Sequence, residues 1–347
     1  MGKNKAQSVS AKSVEVEYKV VKKSGCVLDG VITHREDLPA VGPIIIFCHG
    51  TLSDMRHNFT DDLTNKLSNE LGLRSYRFNF RFDASEFEPN HRYKFSGYED
   101  DVDDLMAVVA ALKMDGYTPW CLFGHSRGAN DVLIYADRFS GGGGVGAGES
   151  KEQEDAYLHP DALAVVVAAP RFDMSNMSKT IFTPEQLAQV GEQGQSPWPT
   201  QRGELLLTAP DLLVTDSQMD MGAMVRSLPP QVPVLLLHGT EDELIPVADA
   251  TLYGEQRASM QLCIVEGARH AFRGKKPLKQ LLTTVTEFLG AQYSAMESRG
   301  SIAAAAELGA RGGGIHLAPS AGSLASSSDA PITASSSAAT LSGLGEA

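Results

Sequence analysis

Apolar and polar positions fall in two recurring patterns along this chain. Short runs rich in Val, Ile and Leu, with little polar interruption, occur at residues 43–48, 120–123, 162–169, 234–237 and 261–266. A run of that length bounded by turn residues reads as a strand covered on both faces. Between these runs lie stretches with apolar residues three and four apart, as in Val102, Leu105, Met106, Val109 and Leu112, and these read as helices. Further helices are expected at 129–139, 247–257 and 277–291. Strand and helix in alternation predict an α/β fold with a mostly parallel central sheet flanked by helices. Residues 14–21 and 26–33 read as a leading antiparallel pair.

The rest of the pattern divides the chain. Residues 1–13 are expected to be flexible, and 14–293 to form the folded domain. Within that domain 140–155, with four consecutive glycines, reads as a low-complexity loop insertion. From about 171 to 226 the pattern changes to scattered Met, Leu and Phe with Pro184, Pro197 and Pro199, which fits a small lid. Its methionines, among them Met174, Met177 and Met221, either line an acyl pocket or pack the lid on the core. Residues 294–347 are rich in Ala, Gly and Ser with few aromatics, and are expected to be a disordered tail.

The densest chemical signal is Gly124-His125-Ser126-Arg127-Gly128, placed between the run at 120–123 and the helix expected from Ala129. A strand, a sharp turn and a helix around such a serine make a nucleophile elbow, in which the small residues let strand and helix close on each other. A nucleophilic serine needs a base, an acid that orients the base, and two N–H groups aimed at a developing oxyanion. The run at 234–237 leads into His238-Gly239-Thr240-Glu241-Asp242-Glu243, so Asp242 lies past a strand's carboxyl end, with Glu241 and Glu243 as rivals. The run at 261–266 leads into a loop carrying His270. The run at 43–48 ends in His49-Gly50-Thr51, and the backbone N–H groups of Thr51 and Arg127 are the candidate oxyanion donors. His125 is expected to pack beside the elbow, while His49 and His238 are expected to bond to nearby loops.

On these residues the chain resembles the α/β-hydrolase superfamily, and within it the small esterase-like members of the serine aminopeptidase S33 type. The resemblance is carried by Cys48-His49-Gly50, residues 76–80, 124–130, 238–246 and 265–270, and it spans roughly 14–290. It implies the α/β-hydrolase fold, with Ser126 as nucleophile, His270 as base and Asp242 as acid, the last selected by the Gly-x-x-Asp spacing from Gly239. It implies an esterase-like hydrolase with no cofactor and no metal. Two departures stand out: residues 81–85 replace a glycine-rich turn that many relatives carry there, and Arg127 stands where a lysine or an apolar residue is common, which places positive charge near the nucleophile. A ligand receptor on the same fold and an acyltransferase using the same residues remain as other readings.

Composition narrows the partners. With 43 acidic against 30 basic residues and a net charge of −13, the chain does not carry the footprint of a nucleic-acid binder. A small-molecule acyl substrate is the expected partner. No apolar stretch is long enough to span a membrane, and the amino terminus lacks the apolar core of a secretory signal, which points to the cytoplasm. The four cysteines read as buried reduced thiols, with no spacing that suggests a metal site. The acidic run 99–104 reads as the solvated start of a helix.

Overall fold

The computed structural model describes residues 12–81, 97–140, 151–175, 177–200, 203–208 and 218–312. The chain opens with β1 (Ser13–Glu17) and β2 (Val20–Val21) and returns through β3 (Val27–Leu28) and β4 (Gly30–Arg35). These pair antiparallel as expected, β1 with β4 and β2 with β3, but each expected strand is broken in two. β5 (Pro43–Cys48), α1 (Thr60–Leu71), β6 (Arg74–Phe78), α2 (Tyr98–Met114), β7 (Thr118–His125) and α3 (Arg127–Phe139) follow. Next come β8 (Ala164–Ala168), a hairpin of β9 (Gln195–Thr200) and β10 (Gly203–Thr208), β11 (Val234–Gly239) and β12 (Gln261–Val265).

Eight strands form one sheet in the order β1-β4-β6-β5-β7-β8-β11-β12. From β6 to β12 all neighbours are parallel. The unbroken apolar runs are explained by cover on both faces. Along β5, Ile44, Ile46 and Cys48 point into one core with α2 and α3. Ile45 and Phe47 point into the other, with α1 and the helix Lys275–Ser298. The side chains alternate because the strand period is two, yet both faces are dry, so every position is apolar.

The strand order fixes where a site can form. The chain leaves β5 toward β6 and then crosses back to place β7 on the other side of β5. In an open parallel sheet such a reversal leaves a crevice at the carboxyl ends of the two diverging strands. Cys48, the last residue of β5, is in register with Gly124 of β7, so the 49–51 loop and the 124–128 turn emerge side by side.

Several expectations are corrected here. The tail does not begin at residue 294: the helix Lys275–Ser298 runs past it, and a second helix, Ser301–Gly312, follows. Met296 and Ile302 are buried in the second core, and the Tyr293 ring lies 5.1 Å from Trp120. Alanine forms helix with little cost in side-chain entropy, so a few buried anchors hold a segment whose composition looks structureless. Residues 313–347 lie outside the described residues, as do 141–150 of the expected insertion; Lys151–Ala156 is helical. Cys48 and Cys121 are buried, but Cys26 and Cys263 are partly exposed, Cys263 because β12 is an edge strand.

The acidic run is not simply solvated either. Asp101 and Asp104 are buried on the inner side of α2. Asp104 accepts from Lys22 Nζ and Arg81 Nε, each at 2.7 Å.

The region 171–226 contains the helices Met177–Ile181, Pro184–Gln193 and Met221–Ser227 and the β9–β10 hairpin. Phe182, Val190 and Leu207 form a small core of their own. Met174, Met177 and Met221 are buried in the main core, which favours packing over lining a pocket. No described helix is long and apolar enough to cross a membrane.

If Met296 and Ile302 hold the carboxyl-terminal helices as their burial indicates, Met296→Ala and Ile302→Ala will each lower the unfolding free energy by about 2–4 kcal/mol. Urea denaturation checks this; a structureless segment would give no change.

Candidate active site

Ser126 is the hinge between β7 and α3, with φ 56° and ψ −122°. That backbone is costly for a residue with a Cβ and survives only where the surroundings dictate it. Its N–H donates to the Ala168 carbonyl at 2.8 Å, and its own carbonyl accepts the Ala129 N–H at 2.9 Å. The turn is closed by backbone contact. A Cβ at Gly124 would stand 2.1 Å from the Gly128 oxygen, and one at Gly128 would stand 2.4 Å from the Cys48 oxygen. Gly50 lies against the serine itself, since a Cβ there would be 2.9 Å from Ser126 Cβ and 3.4 Å from its Oγ.

Thr51 follows Gly50, and among the described residues no hydrogen bond engages its N–H. Arg127 is the first residue of α3, so its N–H lies in the turn that has no intrahelical acceptor. The Arg127 side chain turns away from the role expected of it. It is buried, its Nε donates to Asp101 Oδ2 at 2.6 Å, and its guanidinium lies 4.9 Å from the centre of the Tyr98 ring. Its charge is neutralised behind the elbow instead of standing beside Ser126.

Asp242 and His270 are brought together from adjacent strand ends. The loops after β11 and β12 abut so closely that a Cβ at Gly239 would stand 2.1 Å from the Ala268 oxygen. The Glu241 N–H donates to that oxygen at 3.0 Å, and the Gly267 N–H to Thr240 Oγ1 at 2.8 Å. His270 Nδ1 is 2.9 Å from Asp242 Oδ2 and 3.1 Å from Oδ1. A carboxylate only accepts, so Nδ1 carries the hydrogen and Nε2 is left as the basic nitrogen. The rivals are placed elsewhere. Glu243 accepts the His270 backbone N–H at 3.1 Å and faces Arg269, and Glu241 is exposed.

The Asp242 side chain is fully buried. Burial alone would raise its carboxyl pKa, but donors from His238, His270 and the Ile245 N–H outweigh that and hold it well below the usual carboxylate range. The Leu244 and Ile245 N–H groups reach Oδ1 at 2.9 and 2.8 Å. Among the described residues no hydrogen bond joins Ser126 Oγ to His270.

Three further histidines surround the site. His125 is buried and donates from Nε2 to the His270 carbonyl at 2.9 Å; burial, aided by the nearby His270, lowers its pKa to about 3. His238 is buried behind Asp242. His49 uses both ring nitrogens on backbone, Nδ1 with the Gly50 oxygen at 2.9 Å and Nε2 accepting the Phe80 N–H at 3.2 Å. The positions of His49 and His238 before glycines at strand ends were legible, but not these partners. A small cavity lined by His49, Ser53, Asn58, Phe59, Arg77 and His125 lies behind the elbow, and neither Ser126 nor His270 lines it. The pocket wall expected at 81–85 falls mostly outside the described residues, which resume at 97.

No protein-family model matches the sequence, and no curated protein matches it. Solved structures share its architecture. Est1E from Butyrivibrio proteoclasticus, in a structure with ferulic acid bound, is similar over 80% of this chain and 99% of its own, at 19% identity and a TM-score of 0.60. The esterase domain of a Rhodothermus marinus protein is similar over 80% and 98%, at 15% identity and 0.54. Mouse alpha/beta hydrolase domain-containing protein 10 is similar over 79% and 98%, at 16% identity and 0.52. The chain has the α/β-hydrolase fold. At such identities the likeness is one of fold, and it does not single out the S33 type.

Asp131 of α3 is fully buried, next to the carboxyl of Asp101. Burial first, and then the charge of Asp101, push its carboxyl well above the ordinary value. A carboxyl raised in the folded state holds its proton more tightly there than in the unfolded chain. Its contribution is therefore fully present below the ordinary carboxylate pKa and is lost as pH rises through the folded pKa. Asp131→Asn should match the wild type below pH ~4 and become the more stable protein as pH rises above the ordinary carboxylate range. Denaturation midpoints measured across that range check the sign.

Proposed function

We propose that this chain is a serine hydrolase that cleaves carboxylic esters through an acyl-enzyme. The observation that carries it is the pairing of a strained serine at a strand-to-helix elbow with a bonded His270–Asp242 pair on the loops of the same sheet edge. In this scheme Ser126 Oγ attacks the ester carbonyl while His270 Nε2 takes its proton. Asp242 holds the imidazole in the Nδ1–H tautomer and stabilises the imidazolium. The Thr51 and Arg127 N–H groups receive the oxyanion, and loss of one such donor costs about 10² to 10³ in turnover. His270 then protonates the leaving alcohol and activates water to release the acid. The scheme calls on no metal and no cofactor.

The domain of this enzyme is 14–293 extended by the carboxyl-terminal helices, with about 171–226 as its lid. Its partner is a small acyl substrate, and ferulic acid in the Est1E structure makes aromatic esters a reasonable first addition to short aliphatic ones. Two other readings use the same residues. A receptor would bind its ligand saturably with little turnover, and an acyltransferase would pass the acyl group to an added alcohol.

Labelling with a fluorophosphonate probe, beside turnover of p-nitrophenyl acetate, butyrate and a feruloyl ester, tests the assignment. Wild type should label and turn over. Ser126→Ala should lose both, and His270→Ala should lose turnover by at least ~10³-fold. A folded wild type that does not label sinks the hydrolase reading and brings the receptor forward.

A further inference from the structure

His238 stands in β11, four positions before Asp242, and its side chain is fully buried. Its Nε2 lies 3.0 Å from the Ile245 carbonyl oxygen and 3.3 Å from Asp242 Oδ2. Both of these are acceptors, so Nε2 carries the hydrogen and shares it between them. The other ring nitrogen, Nδ1, is buried without a partner among the described residues, so no second bond competes for the ring's orientation. The carboxylate of Asp242 is then held at two points. Oδ1 takes two backbone N–H groups, and Oδ2 takes His238 on one side and His270 on the other. Without the His238 donor, the carboxylate can pivot about Oδ1, and the imidazole loses the fixed acceptor that sets its tautomer.

His125 makes the matching contact on the base side. Its Nε2–H donates to the His270 main chain, and the two rings lie 5.0 Å apart. It comes from the residue just before Ser126, so it ties the base's loop to the elbow. The titratable and charged groups around this assembly are His57 beside His125, Asp249 with Arg171 and Asp173 on the His238 side, and Glu243 and Arg269 on the two loops; Arg171 also donates to the Leu244 carbonyl at 2.7 Å.

We propose that His238 and His125 are positioning residues that hold the acid–base pair from beneath, His238 by fixing the Asp242 carboxylate and His125 by fixing the His270 main chain. The proposal rests on His270 acting as the base of the hydrolase. Neither histidine touches substrate in it, and neither gains or loses a proton during turnover.

Two substitutions at each position separate donation from bulk. His238→Gln retains an N–H donor near the place of Nε2, and His238→Leu retains volume alone; His125→Gln and His125→Leu make the same comparison. The leucine variants should lose kcat by about 10- to 100-fold with KM little changed, as expected of misplaced catalytic groups. Their low-field proton resonance from His270 Nδ1–H should weaken. The acid limb of the kcat/KM profile should move to lower pH, because the imidazolium loses part of its carboxylate. The glutamine variants should recover most of all three. Leucine variants that fold and keep the resonance, the acid limb and kcat overturn the proposal, and so does absence of the resonance from wild type. Should His238→Leu not fold, His238→Asn, whose shorter amide falls short of Asp242, makes the comparison. The resonance is read on resting protein, so a wild type that fails to hydrolyse any ester would defeat the hydrolase reading while the positioning result still stands or falls on its own.

Discussion

Main chain meets main chain at the carboxyl ends of β5 and β7, and the site is built around that contact. A side chain at Gly124 would collide with the Gly128 carbonyl, and one at Gly128 with the carbonyls of Cys48 and His49. Because neither glycine has a Cβ, α3 can start directly over the end of β5, and this forces Ser126 into its positive φ. The same approach brings Gly50 against the serine and puts the first turn of α3 beside the 49–51 loop. The placement of Ser126 and of the N–H groups proposed as oxyanion donors thus follows from one backbone contact. The topological reversal between β5 and β7 is what leaves the crevice open above it.

Beneath the elbow the packing is electrostatic as much as apolar. Arg127 enters the core between α2 and α3, where Asp101 and the Tyr98 ring receive it. A buried pair of this kind contributes little net stability against an apolar alternative, but removal of one partner typically costs about 3–5 kcal/mol, because the other charge is left without compensation. Its consequence here is placement: α3 cannot slide or rotate without breaking the Asp101 contact. The Tyr98 hydroxyl donates to Met177 Sδ at 3.4 Å, so the first helix of the 171–226 region rests on the same anchor.

The centre of the sheet was legible because β5, β7, β8 and β11 are dry on both faces, which leaves unbroken apolar runs in the sequence. A serine flanked by glycines two residues away is more often a plain turn; the elbow was legible because the motifs around Gly50, Asp242 and His270 each follow a strand and stand in the expected order. What could not be read is informative. Asp101 and Asp104 sit in an acidic run that looks solvated, and their partners Arg127, Arg81 and Lys22 are distant in sequence. The one available signal was an arginine in the tightly packed first turn of the elbow helix, beside Gly128 and Ala129. The partners of His125 and His238 are loop carbonyls and a carboxylate whose positions depend on how two loops abut, and no periodicity carries that. The helices past residue 294 were missed because burial was judged from composition, whereas alanine needs little of it to be helical.

Two of the buried carboxyls, Asp242 and Asp131, work against each other in their response to pH. Asp242 has a depressed folded pKa, so its contribution is complete above the ordinary carboxylate range and is lost as pH falls. Asp131 has a raised one, so its contribution is complete at low pH and is lost as pH rises. Between the ordinary carboxylate value and the raised one, the Asp242–His270 side of the site has every donor in place, while the helix that follows Ser126 is being destabilised. Strain at Ser126 adds to the same side. The conformational cost of the site is therefore concentrated on the elbow and α3, and the loops that hold Asp242 and His270 are satisfied bond by bond. For the proposed chemistry a serine held in this conformation needs a partner that does not move to meet it, and the hydrogen bonds behind His270 are placed to hold one still.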